Sequence, residues 1–474
     1  MKRIVIYMFA AAAALSLASC KDFLEKADPL SQSTELTLSD YTGLDKATLG
    51  AYSYLAGSGW YGGVRVLTSE MRSGNGFKHK DHSSNRYVVE MNWNFTADMP
   101  GDIGNIWGYG YFTIARANNV INNLEGKETA DVTTQDLNNL KAECLFLRAL
   151  SHFEIVTLFG QPYTYKPDSP GCPIVLVTDE SAKPARATVK EVYNQIVADL
   201  REAENIIDPD YTRSSVADRK AVVSIGAIRA LLSRVYLYMG EWQKCADYAT
   251  KVIEDDSYAM WDAEEYAGAW ANNTGGSEVI FEIYKDLNNL SNLDCSYMTC
   301  PSGAYGDCLC SPELYSIYKE GDVRKDLYVQ DSEETGLFWT GKYTGKGLYS
   351  PDANNTVVLR LSEMYLNRAE AILNGATSES TALEDLNVIA VNRGLDPYTT
   401  YGKQEIRTER RLELAWEGHY FYDLARWGVG VTRTPDAFLS ATNANIEFPS
   451  YRWVLPIPKR ELEVNENLVQ NEKF

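Results

Sequence analysis

Four cysteines that could bind a metal ion or form disulfides lie in a stretch rich in glycine, asparagine and serine. Cys295, Cys300, Cys308 and Cys310 follow the spacing Cys-x4-Cys-x7-Cys-x-Cys. That spacing lacks the paired Cys-x2-Cys units that are typical of a structural zinc site. Disulfides or free thiols are therefore favoured over a metal ion, and the spacing does not determine which cysteines would pair.

The sequence also lacks strong motifs for catalysis. The sequence holds no His-Glu-x-x-His metal motif and no Gly-x-Ser-x-Gly nucleophile turn. A glycosidase needs two facing carboxylates, but with 65 acidic residues candidate pairs arise by chance. His79 and His82 lie in a glycine-rich stretch that favours a loop over a metal site, and His419 is predicted to be a packed histidine. We therefore predict no enzyme activity, no metal and no cofactor.

Residues suited to holding a sugar are concentrated in two regions. A neutral sugar presents apolar ring faces and many hydroxyls, so its binder needs flat aromatic surfaces beside hydrogen-bonding side chains. The predicted ligand-binding residues are Trp60, Tyr61, Arg72, Asn75, Trp93, Tyr305 and Trp339, with Asn92, Asp307 and Lys342 close in sequence. The alternative is that these rings pack beneath their own loops. Trp107 and Trp270 adjoin helical segments and are predicted to be core residues.

The two regions, about 57–106 and 268–356, are rich in glycine and irregular in pattern. Long irregular segments in a compact protein are usually functional or disordered. The aromatic content argues against disorder, because disordered segments are poor in such residues. We therefore predict that these two loop-rich insertions form the ligand-binding face.

The rest of the chain has helical periodicity, which predicts a mostly α fold. The clearest segment is 224–254, where Ile225, Ile228, Leu232, Val235 and Met239 recur at three- and four-residue steps. Gly240 is predicted to end this helix before a second one that carries Cys245. Two helices joined in this way resemble a tetratricopeptide repeat. We expect a scaffold of such helical pairs over about 36–56, 107–267 and 357–430.

The start of the chain predicts export and a lipid anchor. Two basic residues precede an apolar run over 4–17, which is shorter than a transmembrane helix requires. The run ends in Leu-Ala-Ser-Cys, the pattern of a bacterial lipoprotein signal, so residues 1–19 are predicted to be removed and Cys20 to be acylated. An ordinary signal peptide with a chance cysteine is the alternative. The formal net charge of −20 argues against nucleic-acid binding, which depends on lysine and arginine.

Several blocks along the chain are similar to the SusD/RagB family of nutrient-binding lipoproteins of Bacteroidetes. The most specific is 409–428 (ERRLELAWEGHYFYDLARWG). The other blocks are 20–25 (CKDFLE), 142–160 (AECLFLRALSHFEIVTLFG), 358–371 (VLRLSEMYLNRAEA), 455–458 (LPIP) and 465–470. They occur in family order from end to end of the predicted mature chain, residues 20–474. The chain thus resembles a SusD-like protein.

This resemblance implies a fold, a location and a partner. The fold would be mostly α, with four tetratricopeptide-like units and an irregular second part. The protein would be lipid-anchored in the outer membrane, facing the cell surface, and would sit over a SusC-like TonB-dependent transporter. Family members bind oligosaccharides, whereas the RagB branch handles peptides, so a peptide ligand remains an alternative. A pure interaction scaffold is a third interpretation, because tetratricopeptide pairs often bind proteins.

Overall fold

The computed structural model of the protein describes most of the chain. The described residues are 34–79, 86–98, 102–179, 181–216, 218–271, 276–285, 305–330, 336–343, 354–433 and 445–474. The predicted signal peptide, the lipidation site Cys20, His82, Cys295 and Cys300 lie outside these ranges. Among the described residues, no helix combines the length and the apolar character that a membrane crossing needs.

Helices dominate the described structure, as the sequence predicted. They are α1 (Thr34–Thr37), α2 (Tyr41–Leu55), α3 (Val64–Ser73), α4 (Val88–Asn92), α5 (Asp102–Ile121), α6 (Thr134–Phe159), α7 (Val189–Ile206), α8 (Ile225–Met239), α9 (Trp242–Ile253), α10 (Tyr266–Ala271), α11 (Pro312–Ile317), α12 (Leu361–Leu373), α13 (Ala382–Asn392), α14 (Lys403–Glu413), α15 (Tyr420–Trp427) and α16 (Lys459–Val464). Short 3₁₀ turns occupy Arg219–Ala221, Lys325–Leu327 and Tyr451–Trp453.

The strands are short and pair in twos, always antiparallel. They are β1 (Gly76–Phe77), β2 (Val279–Ile283), β3 (Leu309–Cys310), β4 (Val329–Gln330), β5 (Phe338–Trp339), β6 (Thr356–Arg360), β7 (Val431–Thr432) and β8 (Asn445–Ile446). The pairs are β1 with β3, β2 with β6, β4 with β5, and β7 with β8. In the described part of the chain, each sheet therefore joins only two short segments, and the helices carry the architecture.

Side-chain caps define where several helices begin. At the start of α7, the Thr188 hydroxyl accepts a hydrogen bond from the Glu191 amide, and the Glu191 carboxylate accepts one in return from the Thr188 amide. Two backbone donors that the helix leaves unpaired are thereby satisfied. The sequence Thr188-x-x-Glu191 is therefore a local signal for the start of this helix. Threonines 133 and 381 begin α6 and α13 in the same way.

The predicted repeat-like pair is present as α8 and α9. Gly240 ends α8 in the left-handed conformation, with a φ of 72°, which favours glycine because it lacks a Cβ. The two helices then approach closely, and the Ser233 hydroxyl donates to the Cys245 carbonyl at 3.1 Å. The scaffold continues in both directions, because α5 packs on α6, α6 on α7, α7 on α8, α9 on α12, and α12 on α13.

One segment of the first predicted insertion differs from the expectation of irregular structure. Residues 64–73 form the regular helix α3, and every one of its residues is buried. The polar side chains that disguised it in the sequence are paired inside the protein: Arg65 with Glu154, and Glu70 with the Gly418 amide at 2.8 Å. Val64, Leu67 and Met71 recur at helical spacing along one face, and the opposite, polar face is buried too because its side chains have partners elsewhere in the chain.

A buried network of charges joins the strand β6 to the C-terminal block of the chain. Arg360 contacts Glu278 at 2.7 Å, Glu413 at 2.5 Å and Glu417 at 2.7 Å, and all four side chains are at most 2% exposed. Arg393 bridges the same Glu278 and Glu413. The acidic and basic residues of the family-like block 409–428 thus serve the core, because unpaired buried charges would be strongly destabilising.

Candidate ligand-binding site

The strands β1 and β3 bring the two predicted insertions together. Gly76 pairs with Cys310 and Phe77 with Leu309, so residues 76–77 of the first insertion lie beside residues 309–310 of the second. Beneath this junction Phe77, Leu309, Leu337 and Trp339 form a small apolar cluster. A rigid base of this kind can hold surface side chains in fixed positions.

The exposed side of this junction carries an aromatic ring among charged groups. Tyr305 is 58% exposed, and the Arg86 guanidinium lies 4.2 Å from the centre of its ring. Arg86 Nη1 is also 3.1 Å from Asp307 Oδ2. Lys78 Nζ lies 3.7 Å from Asp307 Oδ1. We call Tyr305, Arg86, Asp307 and Lys78 the Tyr305 surface.

These four side chains are buried to different extents, and the extent of burial determines which of them can contact a ligand. The Asp307 and Lys78 side chains are buried, whereas Arg86 is 39% exposed and Tyr305 faces solvent. Burial lowers the pKa of Lys78, and the nearby Asp307 carboxylate opposes that shift. The surface therefore offers a ligand the exposed part of the Tyr305 ring, beside an arginine that is fixed by a buried carboxylate.

Four predicted aromatic platforms have no exposed face in the structure. Trp60, Trp93 and Trp339 are 0%, 1% and 0% exposed, and Tyr61 is also buried. The predicted exposure of these rings is wrong, and the alternative that they pack beneath their loops describes them correctly. Trp60 illustrates the cause, since a Cβ built on Gly110 of α5 would come within 2.5 Å of its ring.

The predicted polar partners Arg72 and Asn75 are buried as well. Arg72 donates to the Trp453 carbonyl at 2.9 Å and stacks 3.8 Å from the centre of the Phe421 ring. Asn75 donates to Glu70 at 2.9 Å. These contacts join α3 to the C-terminal part of the chain, so the prediction that both side chains face a ligand is corrected.

Other predictions about individual residues agree with the structure. Trp107 and Trp270 are buried in the core. His419 is buried too, and burial, reinforced by Arg234 and Arg410, lowers its pKa well below the ordinary value, as expected for a packed neutral histidine. Cys308 and Cys310 are buried free thiols, as are Cys144, Cys172 and Cys245. Within the described ranges, no group of three or more metal-ligating side chains is arranged around a common point.

A second aromatic surface, which the sequence did not predict, is formed by α5 and the end of α2. Phe112 is 56% exposed, and its ring centre lies 5.8 Å from that of Tyr54, which is 6.0 Å from that of Tyr109. A cleft of about 600 Å³ adjoins Tyr109 and Phe112. The helical spacing of Tyr109 and Phe112 could have indicated a shared face. Whether that face is buried depends on the neighbouring helices, so the spacing alone does not show exposure.

Comparison with known families covers both halves of the chain. A SusD-like family model described as starch-binding and associating with the outer membrane matches residues 22–237. A second model, for the SusD family, matches residues 328–474. The first match ends before the second predicted insertion, about 268–356, and the second match begins within it.

Individual relatives extend over almost the whole chain. SusD-like protein P25 of Formosa agariphila is 24% identical over 99% of this chain and 98% of its own. The crystal structure of a SusD superfamily protein from Bacteroides vulgatus is 30% identical, with a TM-score of 0.82 over 92% of this chain and 99% of that one. Surface glycan-binding protein A from Bacteroides thetaiotaomicron, solved with laminarihexaose, shares the fold at 22% identity, with a TM-score of 0.74 over 91% of this chain and 99% of that one.

Proposed function

The chain belongs to the SusD family, and from this premise we propose that it is a cell-surface lipoprotein that captures an oligosaccharide and delivers it to a SusC-like TonB-dependent transporter in the outer membrane. The matching family model is described as starch-binding and associating with the outer membrane. A protein of the same fold binds laminarihexaose. Both facts favour a glycan over a peptide as the ligand.

The observation that carries the proposal is the exposed ring of Tyr305 at the junction of the two predicted insertions. The Arg86 guanidinium covers one face of this ring, 4.2 Å from its centre, so a sugar ring would stack on the opposite face. Asp307 holds Arg86 in place at 3.1 Å. An apolar ring face supported from behind by a fixed charged group suits the CH-rich face of an uncharged polyhydroxylated ligand.

The anchor and the partner complete the proposal. Acylation of Cys20 would tether the protein, since each buried methylene contributes about 0.8 kcal/mol and multiple chains make the attachment stable. The tethered protein would then remain beside its transporter. Gentle detergent extraction of the native host should co-purify the two proteins. Recovery of the lipoprotein alone, while other outer-membrane complexes survive, would contradict the proposed delivery step.

A binding screen tests the ligand class. The mature protein should bind oligosaccharides on a glycan array and give no signal on a matched peptide array. Exclusive binding of peptides would favour a RagB-like function instead. Incubation with the bound oligosaccharide, followed by chromatography of the products, separates binding from catalysis. We expect the oligosaccharide to be recovered intact. Shortened products would contradict the proposal that the protein binds its ligand without cleaving it.

A further inference from the structure

A second cleft lies where the C-terminal end of the chain packs on the segment after α6. It has a volume of about 400 Å³, within the range of small-ligand sites. We call it the C-terminal cleft. Its lining includes Gln161, Tyr165, Lys166, Tyr451, Glu472 and Lys473. None of these residues belongs to the Tyr305 surface.

The walls of this cleft are held together by a set of hydrogen bonds. The Asn471 side chain donates to the carbonyls of Phe159 and Leu455, both at 2.8 Å. The Leu455 amide donates to the Leu158 carbonyl at 2.8 Å. The Gln470 amide group is likewise occupied by both backbone groups of Ile457. The cleft is thus preformed, and little ordering would oppose ligand binding.

Two tyrosines stand at the cleft, each with a lysine beside its ring. Tyr165 is 38% exposed, and Lys166 Nζ lies 5.3 Å from its ring centre. Lys473 Nζ lies 5.6 Å from the ring centre of Tyr451. Phe448 packs edge-on against Tyr165, at 5.1 Å between ring centres, and so supports that ring from one side. Aromatic surface and hydrogen-bond donors are therefore adjacent at the cleft.

One polar atom in the lining has its hydrogen-bonding capacity unused. Gln161 Oε1 is buried, and no group in the described part of the chain donates to it. A buried acceptor left without a donor is destabilising, so such atoms are rare in native proteins. A rotation of the Gln161 side chain toward the cleft would let a ligand hydroxyl supply the missing donor.

The charges at the cleft favour a polyhydroxylated ligand over an ion. Lys166 and Lys473 are donors, whereas Glu472 and Gln161 Oε1 are acceptors, so both kinds of group line one cavity. A sugar hydroxyl both donates and accepts and can use both kinds at once. A simple anion would meet the Glu472 carboxylate as well as the lysines. We propose that the C-terminal cleft is a second carbohydrate-binding subsite, independent of the Tyr305 surface. Its ligand class rests on the proposed function.

Calorimetric titration of the mature protein with maltohexaose and with laminarihexaose tests this proposal. The wild type is expected to bind at least one of these probes at two sites per chain. Tyr165→Ala removes the ring, and Gln161→Leu removes the acceptor at similar volume. Each should weaken one site by about tenfold, the effect of losing roughly 1.4 kcal/mol of binding free energy, and leave the other site unchanged. Tyr401→Ala, at an exposed tyrosine elsewhere, is the matched control, and melting temperatures verify folding.

The outcomes separate the two sites. Loss of one site in Tyr165→Ala and Gln161→Leu, and of the other in Tyr305→Ala, supports both assignments. If Tyr305→Ala has no effect while the cleft variants weaken binding, the cleft stands and the Tyr305 surface fails. A single site that only Tyr305→Ala removes would overturn the cleft. So would the absence of binding to both probes, or normal binding by a folded Gln161→Leu variant.

Discussion

Arg86 and Tyr305 form a cation–π pair across the junction of two segments that lie far apart in the sequence, with 4.2 Å between the guanidinium carbon and the ring centre. The pair exists because β1 and β3 are hydrogen-bonded neighbours. Asp307 fixes the same arginine from a buried position. The ring and the donor are therefore positioned before any ligand arrives, which lowers the entropic cost of binding.

Removing the arginine should impair ligand binding without unfolding the protein. Arg86→Ala is expected to weaken the affinity for an oligosaccharide by about tenfold, because it removes a donor and the support of the ring. Arg116→Ala is a matched control, since Arg116 stacks on Tyr54 at 3.7 Å, outside the Tyr305 surface. Isothermal titration of both variants measures the effect. Equal affinities for the two variants would contradict the role assigned to Arg86.

The buried tryptophans should affect stability. Trp60→Ala is expected to lower the free energy of unfolding by about 3–5 kcal/mol, the usual cost of truncating a large buried aromatic side chain. Phe112→Ala removes an exposed ring and should change it by no more than about 0.5 kcal/mol. Urea unfolding followed by circular dichroism compares the two variants. A Trp60→Ala protein as stable as the wild type would show that the ring is not packed as described.

Helix positions were predictable from the sequence, whereas the exposure of single rings was not. The periodicity of 224–254 and the Thr188 cap are local signals, and both agree with the structure. Trp60 sits in a glycine-rich segment that suggests a surface loop, but the neighbouring glycines let it pack tightly against α5. Exposure depends on which elements meet, and the pairing of β1 with β3 links residues too distant for any local pattern to indicate.

The burial of charged residues was also not predictable from the sequence. Helix α3 lies in a glycine-rich stretch that suggested a loop, although Val64, Leu67 and Met71 recur at helical spacing; the partners of its charged residues come from other parts of the chain. Glutamates and arginines of the family-like block 409–428 also belong to the core, through the buried network around Glu413.

That network predicts a specific loss of stability in acid. Burial alone would raise the pKa of Glu413. The nearby Arg393, Arg360 and Arg324 lower it by more, so the pKa of Glu413 in the folded protein lies well below its ordinary range. In the unfolded chain the pKa of Glu413 returns to about 4.3. The stabilisation is therefore fully present above about pH 4.3 and is lost as the pH falls toward the folded pKa.

Glu413→Gln tests this linkage. At pH 7 it should lower the free energy of unfolding by about 3–5 kcal/mol, because the arginines are left without their partner. The difference in the free energy of unfolding between the variant and the wild type should become smaller as the pH is lowered below about 4. Glu379→Gln, at an exposed position, should behave as the wild type throughout. Urea titrations between pH 7 and pH 3 measure this, and a pH-independent difference would contradict the assigned charge state.

The predicted lipid anchor would depend on a single sulfur atom, that of Cys20. Cys20→Ala is expected to release the protein from the membrane fraction, because no acyl chain can then be attached. Cys172→Ala, at a buried thiol, should leave the protein membrane-bound. Fractionation of the native host with labelled fatty acid measures both. A Cys20→Ala protein that stays in the membrane and carries the label would refute the predicted lipidation.

The central claim is that the exposed ring of Tyr305 binds an oligosaccharide. The measurement is calorimetric titration of wild type, Tyr305→Ala and Tyr401→Ala with the strongest oligosaccharide found on the array, after their melting temperatures have been compared. Tyr401 is a suitable control because it is 43% exposed and belongs to neither proposed site. The account predicts that Tyr305→Ala binds at least about tenfold more weakly, as expected for an aromatic anchor, while Tyr401→Ala binds as the wild type. Equal affinities of all three folded proteins would contradict it.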